Sequence, residues 1–239
     1  FGHFNEYQLA KYQMEGKGIA LVDAVNLLHP KPNERNAEAL RKLVKGELKS
    51  VDTWEAALSE AGKAGDEAQV SAAKAGVWKR LLTEKKLGYF ALLRNLRNIA
   101  TQAPDTLPVA LEQLVDREHI HKSRVLPFRF QAAMKELSAE ATPRSVMAAL
   151  SRALDIAVDN VPHLPGRTLI AVDHSGSMES GGTTQTPIEI ASLFGAILYK
   201  TQDADLMLFS THAAWLTPNP LDSVTSIAAH IRNSMKPSG

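Results

Sequence analysis

Residues Thr168–Met178 read TLIAVDHSGSM, which sets one carboxylate and two hydroxyls at alternate positions: Asp173, Ser175 and Ser177. A set of oxygen donors alone suits a hard divalent cation. Mg2+ is the first candidate, because it prefers carboxylate, hydroxyl and water oxygens in octahedral geometry. Asp173 would supply the charge and the two serines neutral oxygens. A cation with so little protein charge around it stays electrophilic and is expected to take one more carboxylate from a partner. His174 lies between the ligands. Alternation along the loop turns it away from the metal, so it is expected to be exposed. Thr183 and Thr184 read first as a polar turn, the alternative being that one of them reaches the metal through a bridging water.

The elements around this loop give it a place. An apolar run, Leu169 to Val172, reads as a buried strand and leads straight into the loop. Thr186-Pro187-Ile188-Glu189 is a capping box with proline at the first helical position, so Thr186 is expected to cap the next helix. A second strand, Ala204–Phe209, and a helix over about 223–235 follow. Strand, loop, helix, strand, loop, helix predicts a doubly wound α/β unit. Ligands of such units sit beyond the carboxyl ends of the strands, where Asp173 falls.

Residues 1–160 predict helices throughout, over 19–28, 36–45, 51–61 (entered through Asp52), 69–82, 89–99, 107–116, 128–137 and 143–159. Prolines at 30 and 32 end the first of them. Short helices joined by polar turns suggest a helical-repeat array, although no fixed sequence period is evident. The joint is Val161-Pro162-His163-Leu164-Pro165-Gly166. The domains are therefore expected at 1–160, helical, and 161–239, the start of an α/β domain. Only about 73 residues of the latter follow Arg167, which is short for a unit that must cover both faces of a sheet. It is expected to be truncated, and the chain to be part of a longer protein.

The chain has 239 residues, a net charge of +1 and no cysteine. Disulfides, thiolate metal sites and cysteine nucleophiles are excluded, which fits a cytoplasmic protein. No apolar run approaches the roughly 20 residues of a membrane span. The charge is unevenly spread. Residues 1–71 hold 9 basic and 11 acidic residues, residues 72–135 hold 12 and 5, and residues 136–239 hold 6 and 10. The middle third is a basic block, an electrostatic footprint for phosphates. The plainer reading is a set of solvated helix faces whose stems cover apolar surface.

Several segments together resemble the Ro autoantigen (TROVE) family: Leu27-Leu28-His29-Pro30-Lys31-Pro32, Ala91-Leu92-Leu93-Arg94-Asn95-Leu96, Val125-Leu126-Pro127-Phe128 and Gly166–Met178. The resemblance implies a HEAT-like helical region and the opening of a von Willebrand factor A (vWA) domain with a metal-ion-dependent adhesion site. It implies Asp173, Ser175 and Ser177 as ligands from the first loop. The family's later loop, reading roughly GGTD, would start where this chain reaches Ser238-Gly239. It further implies a ribonucleoprotein that binds small non-coding Y-like RNA and single-stranded RNA ends. An RNA-processing enzyme or an acidic protein ligand would be held at the metal, with no DNA and no membrane involved.

The RNA contacts expected from the basic block are Lys79, Arg80, Lys85, Lys86, Arg94, Arg97, Arg117, His119, His121, Lys122, Arg124 and Arg129. Arg94 and Arg97 share a helix face. Arg94, Asn95 and Asn98 read alternatively as structural bonds between neighbouring repeats. Two other functions compete. Catalysis lacks any nucleophile elbow, Walker A loop or His-Glu-x-x-His motif. Asp173 as a phosphoryl acceptor would want a second acid where Ser175 stands. A metal-dependent protein-interaction module without RNA is the stronger rival.

Overall fold

The computed structural model describes residues 1–2, 4–13, 18–48, 53–138, 142–181 and 185–234. Thr183 and Thr184 lie outside them. Among the described residues are twelve α-helices and one three-stranded sheet. The helices are α1 (Glu6–Lys11), α2 (Leu21–Leu28), α3 (Ala37–Val44), α4 (Trp54–Ala61), α5 (Glu67–Thr83), α6 (Tyr89–Gln102), α7 (Leu107–Leu114), α8 (Arg117–Ser123), α9 (Phe128–Ser138), α10 (Arg144–Ala157), α11 (Pro187–Thr201) and α12 (Val224–Ser234). The strands are β1 (Thr168–Asp173), β2 (Ala204–Phe209) and β3 (Ala213–Leu216). None of the described helices is long and apolar enough to cross a membrane.

The chain divides into two compact units, Phe1–Val77 and Trp78–Gly239. In the first, Leu9 and Ala10 of α1, Val25 of α2, and Ala39, Leu40 and Leu43 of α3 form a small core with Leu48. The helix α1 is absent from the periodicity reading because six residues carry too little pattern. It is set instead by a local device: Asn5 accepts from the Gln8 amide at 2.9 Å, and the Gln8 side chain accepts from Asn5 N at 3.0 Å. The helix expected at 51–61 begins at Trp54, capped by Thr53, whose hydroxyl accepts from Ala56 N. Val51 and Asp52 lie outside the described residues.

The second unit begins within α5. Trp78, Leu81 and Leu82 are its buried stripe, and they continue into Leu92, Leu96 and Ile99 of α6, Leu114 of α7, Ile120 of α8 and Phe130 of α9. The change from helix to strand comes after Asn160, at the expected joint, and lies inside this unit. The joint is held rather than loose. Gln202 accepts from Leu164 N at 2.7 Å and donates to Pro162 O at 3.1 Å. The helices α10 and α12 meet through Asp155, which accepts from Val224 N at 2.8 Å, and through the hydroxyls of Ser151 and Thr225, 3.1 Å apart. Phe128 of α9 stacks on Phe194 of α11 at 5.8 Å.

In the sheet, β1 pairs parallel with β2, joined by α11, and β2 pairs antiparallel with β3. Ile170, Val172, Leu206 and Leu208 are buried. Gly195 of α11 lets the helix lie close on them, since a Cβ there would sit 3.2 Å from Val172 and 3.3 Å from Ile231. On the other face Leu169 is 57% exposed and Trp215 68%. Among the described residues the sheet is therefore covered by helices on one face, where doubly wound packing expects both.

Candidate functional sites

The loop after β1 is organised by its own aspartate. Asp173 Oδ1 accepts from Ser175 N at 2.8 Å and from Ser175 Oγ at 2.5 Å. The Ser175 hydroxyl, then the Ser175 amide, holds the Asp173 carboxyl below the usual carboxylate range. An ionised carboxylate and a hydroxyl thus converge, with lone pairs left over. Ser177 follows in a 3-10 turn over Gly176–Glu179 and is exposed. The donor chemistry fits a hard cation but brings a single charge, and no group of three His, Cys, Asp or Glu suited to a metal occurs among the described residues.

The expectation for His174 is corrected. It is buried, 7% exposed, with Nε2 3.1 Å from Ile231 O, and its amide extends the sheet by donating to Phe209 O at 2.7 Å. Alternation does place it opposite Asp173. It also places it in the row of Ile170 and Val172, and that row faces the helices. Thr186 caps α11 as expected: its hydroxyl accepts from Glu189 N at 3.4 Å, and Glu189 returns a bond to Thr186 N at 3.0 Å. Burial raises the Glu189 pKa, but the Thr186 amide, Lys135 and Arg232 outweigh it and hold the carboxyl low.

The basic block sorts into paired and unpaired cations. Lys86 pairs with Glu84 at 2.6 Å, Lys122 with Glu118 at 2.7 Å, Arg117 with Asp159 at 2.6 Å and Arg97 with Glu136 at 3.8 Å. Arg129 lies over the Phe128 ring at 5.4 Å. His121 Nδ1 is 3.2 Å from the Asn160 side-chain oxygen. Arg80 of α5 is exposed and has a partner of its own. Lys79, Lys85, Arg94 and Arg124 are exposed and make no ion pair among the described residues. Lys85 and Arg124 sit in turns with left-handed backbone, at φ 52° and 53°. Asn95 bonds Ala91 O and Asn98 within α6 itself, which differs from a bond between neighbouring repeats.

One cavity of about 240 Å3 gathers members of the block with a residue that sequence reading missed. It is lined by Lys85, Gln113, Asp116, Glu118, His119 and Lys122. His119 is half-buried, its ring perpendicular to Tyr89 at 5.1 Å. Burial pushes its pKa down, against the pull of Asp116. Gln113 donates to Leu82 O at 2.7 Å, while its Oε1 is buried with no partner among the described residues. No local signal marks Gln113, since its partner lies 31 residues earlier. The first unit carries a cleft of about 470 Å3, which His29, Arg41 and Lys45 help to line. His29 enters the sequence argument only as part of a motif.

The TROVE domain family model matches residues 45–152. The chain is similar in structure to the Ro (RSR) protein of Deinococcus radiodurans, with a TM-score of 0.61 and 25% identity. That likeness covers 96% of this chain and 55% of the other, so the chain spans little more than half the length of that relative. No curated protein matches it significantly by sequence. The TROVE domain match lies within the helical part, and the fold likeness to a Ro protein extends over nearly the whole chain.

Proposed function

We propose that this chain binds RNA without catalysing a reaction: small structured, Y-like RNA together with unpaired RNA ends. The helical part is the RNA-binding element, a portion of a HEAT-like array. The carrying observation is an overlap. The family match over 45–152 contains the whole of the +7 stretch at 72–135. Phosphate neutralisation by such a stretch makes affinity fall steeply with salt. Lys79, Lys85, Arg94 and Arg124, which make no ion pair among the described residues, are the contacts we favour, because a paired cation must give up a carboxylate before it neutralises a phosphate. Duplex RNA would offer backbone and 2′-hydroxyl contacts, and loose ends would offer bases.

The sheet-bearing part is read as the opening of a vWA domain. Asp173, Ser175 and Ser177 would hold Mg2+ or another divalent cation, whose role when bound is to accept a carboxylate from a partner protein, such as an RNA-processing enzyme. The chain's own contribution is to keep Asp173 ionised and Ser175 oriented through the two bonds between them.

The test is anisotropy of a labelled stem-loop RNA with a free 3′ tail, titrated at several salt concentrations. Reversing the charge of Lys79, Lys85, Arg94 and Arg124 together is expected to flatten the salt dependence and weaken binding by orders of magnitude. Reversing Lys86, Arg117 and Lys122 is expected to do less. Equal effects would sink the assignment of contacts, and no binding by the parent chain would sink the function. One observation favours the rival reading, a protein-interaction module without RNA: several block cations are already neutralised by carboxylates. Purified protein whose 260/280 absorbance ratio is unchanged by nuclease would support that rival.

A further inference from the structure

We infer that the cavity between Lys85 and Lys122 is a subsite for one unpaired, amino-bearing nucleobase (adenine, cytosine or guanine), with the adjoining phosphate at Lys85. The inference rests on the RNA-binding reading and adds to it a pocket, a polarity and a base preference.

Gln113 anchors the cavity. Its amide nitrogen is committed to Leu82 O, which fixes the other end as an acceptor. That acceptor is buried and unsatisfied, and buried polar atoms of folded proteins almost always find a partner. Two of its neighbours in the lining, Asp116 and Glu118, are also acceptors, while Lys85 and Lys122 donate. Asp116 accepts from His119 N at 2.8 Å through Oδ1, and Glu118 is held by Lys122. The unsatisfied Gln113 oxygen calls for a ligand edge that donates. Exocyclic amines of adenine, cytosine and guanine donate, whereas uracil presents carbonyl oxygens at the equivalent positions.

The aromatic components agree with this. Tyr89 is buried and its hydroxyl is spent on Leu114 O at 2.6 Å. It acts as a backstop that keeps His119 perpendicular to it. Burial favours neutral imidazole at position 119, and a neutral ring next to an opening is suited to stack on a base. A phosphate would be repelled by the carboxylates of Asp116 and Glu118 in the lining, and would find at Lys85 an ammonium with no ion pair among the described residues, while the buried acceptor is Gln113 Oε1. The base therefore goes inward and the backbone stays outside. A volume of about 240 Å3 admits one nucleotide unit rather than a duplex.

The whole chain is titrated with short labelled A-, C- and U-rich oligoribonucleotides, and with an A-rich strand carrying one abasic position. The expected result is that A and C strands bind roughly tenfold more tightly than U, and that the abasic strand loses much of that margin. Gln113→Met should collapse the A and C preference and leave U binding nearly unchanged. Lys85→Asn, which tolerates the left-handed backbone, should weaken all strands alike. Melting curves of both variants check folding. In the parent chain, the His119 ring signals should shift on adding AMP or CMP and move less with UMP. Equal binding of A, C, U and abasic strands overturns the base subsite while RNA binding stands. Absence of any RNA binding overturns both readings.

Discussion

The Asp173 loop and the Gln113 cavity both lie in the second unit, yet they are built in opposite ways. The loop's groups are within five residues of one another, and the bonds that organise it join Asp173 to Ser175 two positions on. The cavity draws on the turn after α5, on α7 and on α8, and its orienting bond joins Gln113 to Leu82 across 31 residues. A local site survives moderate changes in packing, because its geometry comes from a short stretch of backbone. An assembled site depends on every helix that fixes its members. The difference teaches where each should fail.

The largest effect should come from beneath the cavity. Phe130 is fully buried and its ring lies 6.2 Å from that of Tyr89. Phe130→Ala should cost about 3–5 kcal/mol in urea unfolding, and the preference for amino-bearing bases should disappear before Mg2+ dependence does. Simultaneous loss of both would erase the contrast between the two sites. Next comes metal binding. At about one hundred times its dissociation constant, Mg2+ should stabilise the parent chain by about 2.7 kcal/mol. Asp173→Ala should remove that gain and leave RNA affinity unchanged. A melting temperature indifferent to Mg2+ in the parent chain would remove the metal from the loop.

Asn160 tests how the helical part is tied together. Its amide donates to Val125 O at 2.7 Å and Ile120 O at 3.2 Å. Asn160→Ala leaves these carbonyls with one donor fewer and should cost about 1–3 kcal/mol by denaturant titration. Thr186→Ala, on the metal-loop side, should cost only about 1 kcal/mol. If the order of these two were reversed, the local region would be the one dependent on long-range packing.

The smallest effect is that of pH at His119. Its folded pKa lies below the unfolded value because burial disfavours the charged ring. The unfolded state therefore takes up the proton first as pH falls, so stability should be intact above about 6.5 and decline below it. His119→Gln should flatten that decline. A parent chain whose melting temperature rises on acidification through this range would contradict a buried neutral ring.

Much of the local structure was legible because short-range rules decide it. The capping box at Thr186 and Glu189, the strand before Asp173 and the proline joint at 161–166 each follow from neighbouring residues. The helices α1 and α8 were not, because six or seven residues hold too little periodicity and caps define them. The strand β3, Ala213–Leu216, was missed because exposed residues show no buried face.

The His174 reversal marks the boundary between the two kinds of knowledge. From sequence, period-two alternation determined that His174 and Asp173 point to opposite sides. Only the packing of α11 and α12 decided which side is interior. The same division holds across the protein. Residue order by itself determined most of the helices, the joint, the spacing of Asp173, Ser175 and Ser177 and the basic block, because each is set by spacing along the chain. The tertiary structure decided which of those cations are spent on carboxylates, and it brought Gln113 and His119 to one cavity with Tyr89 against the His119 ring, because burial and pairing depend on distance in space.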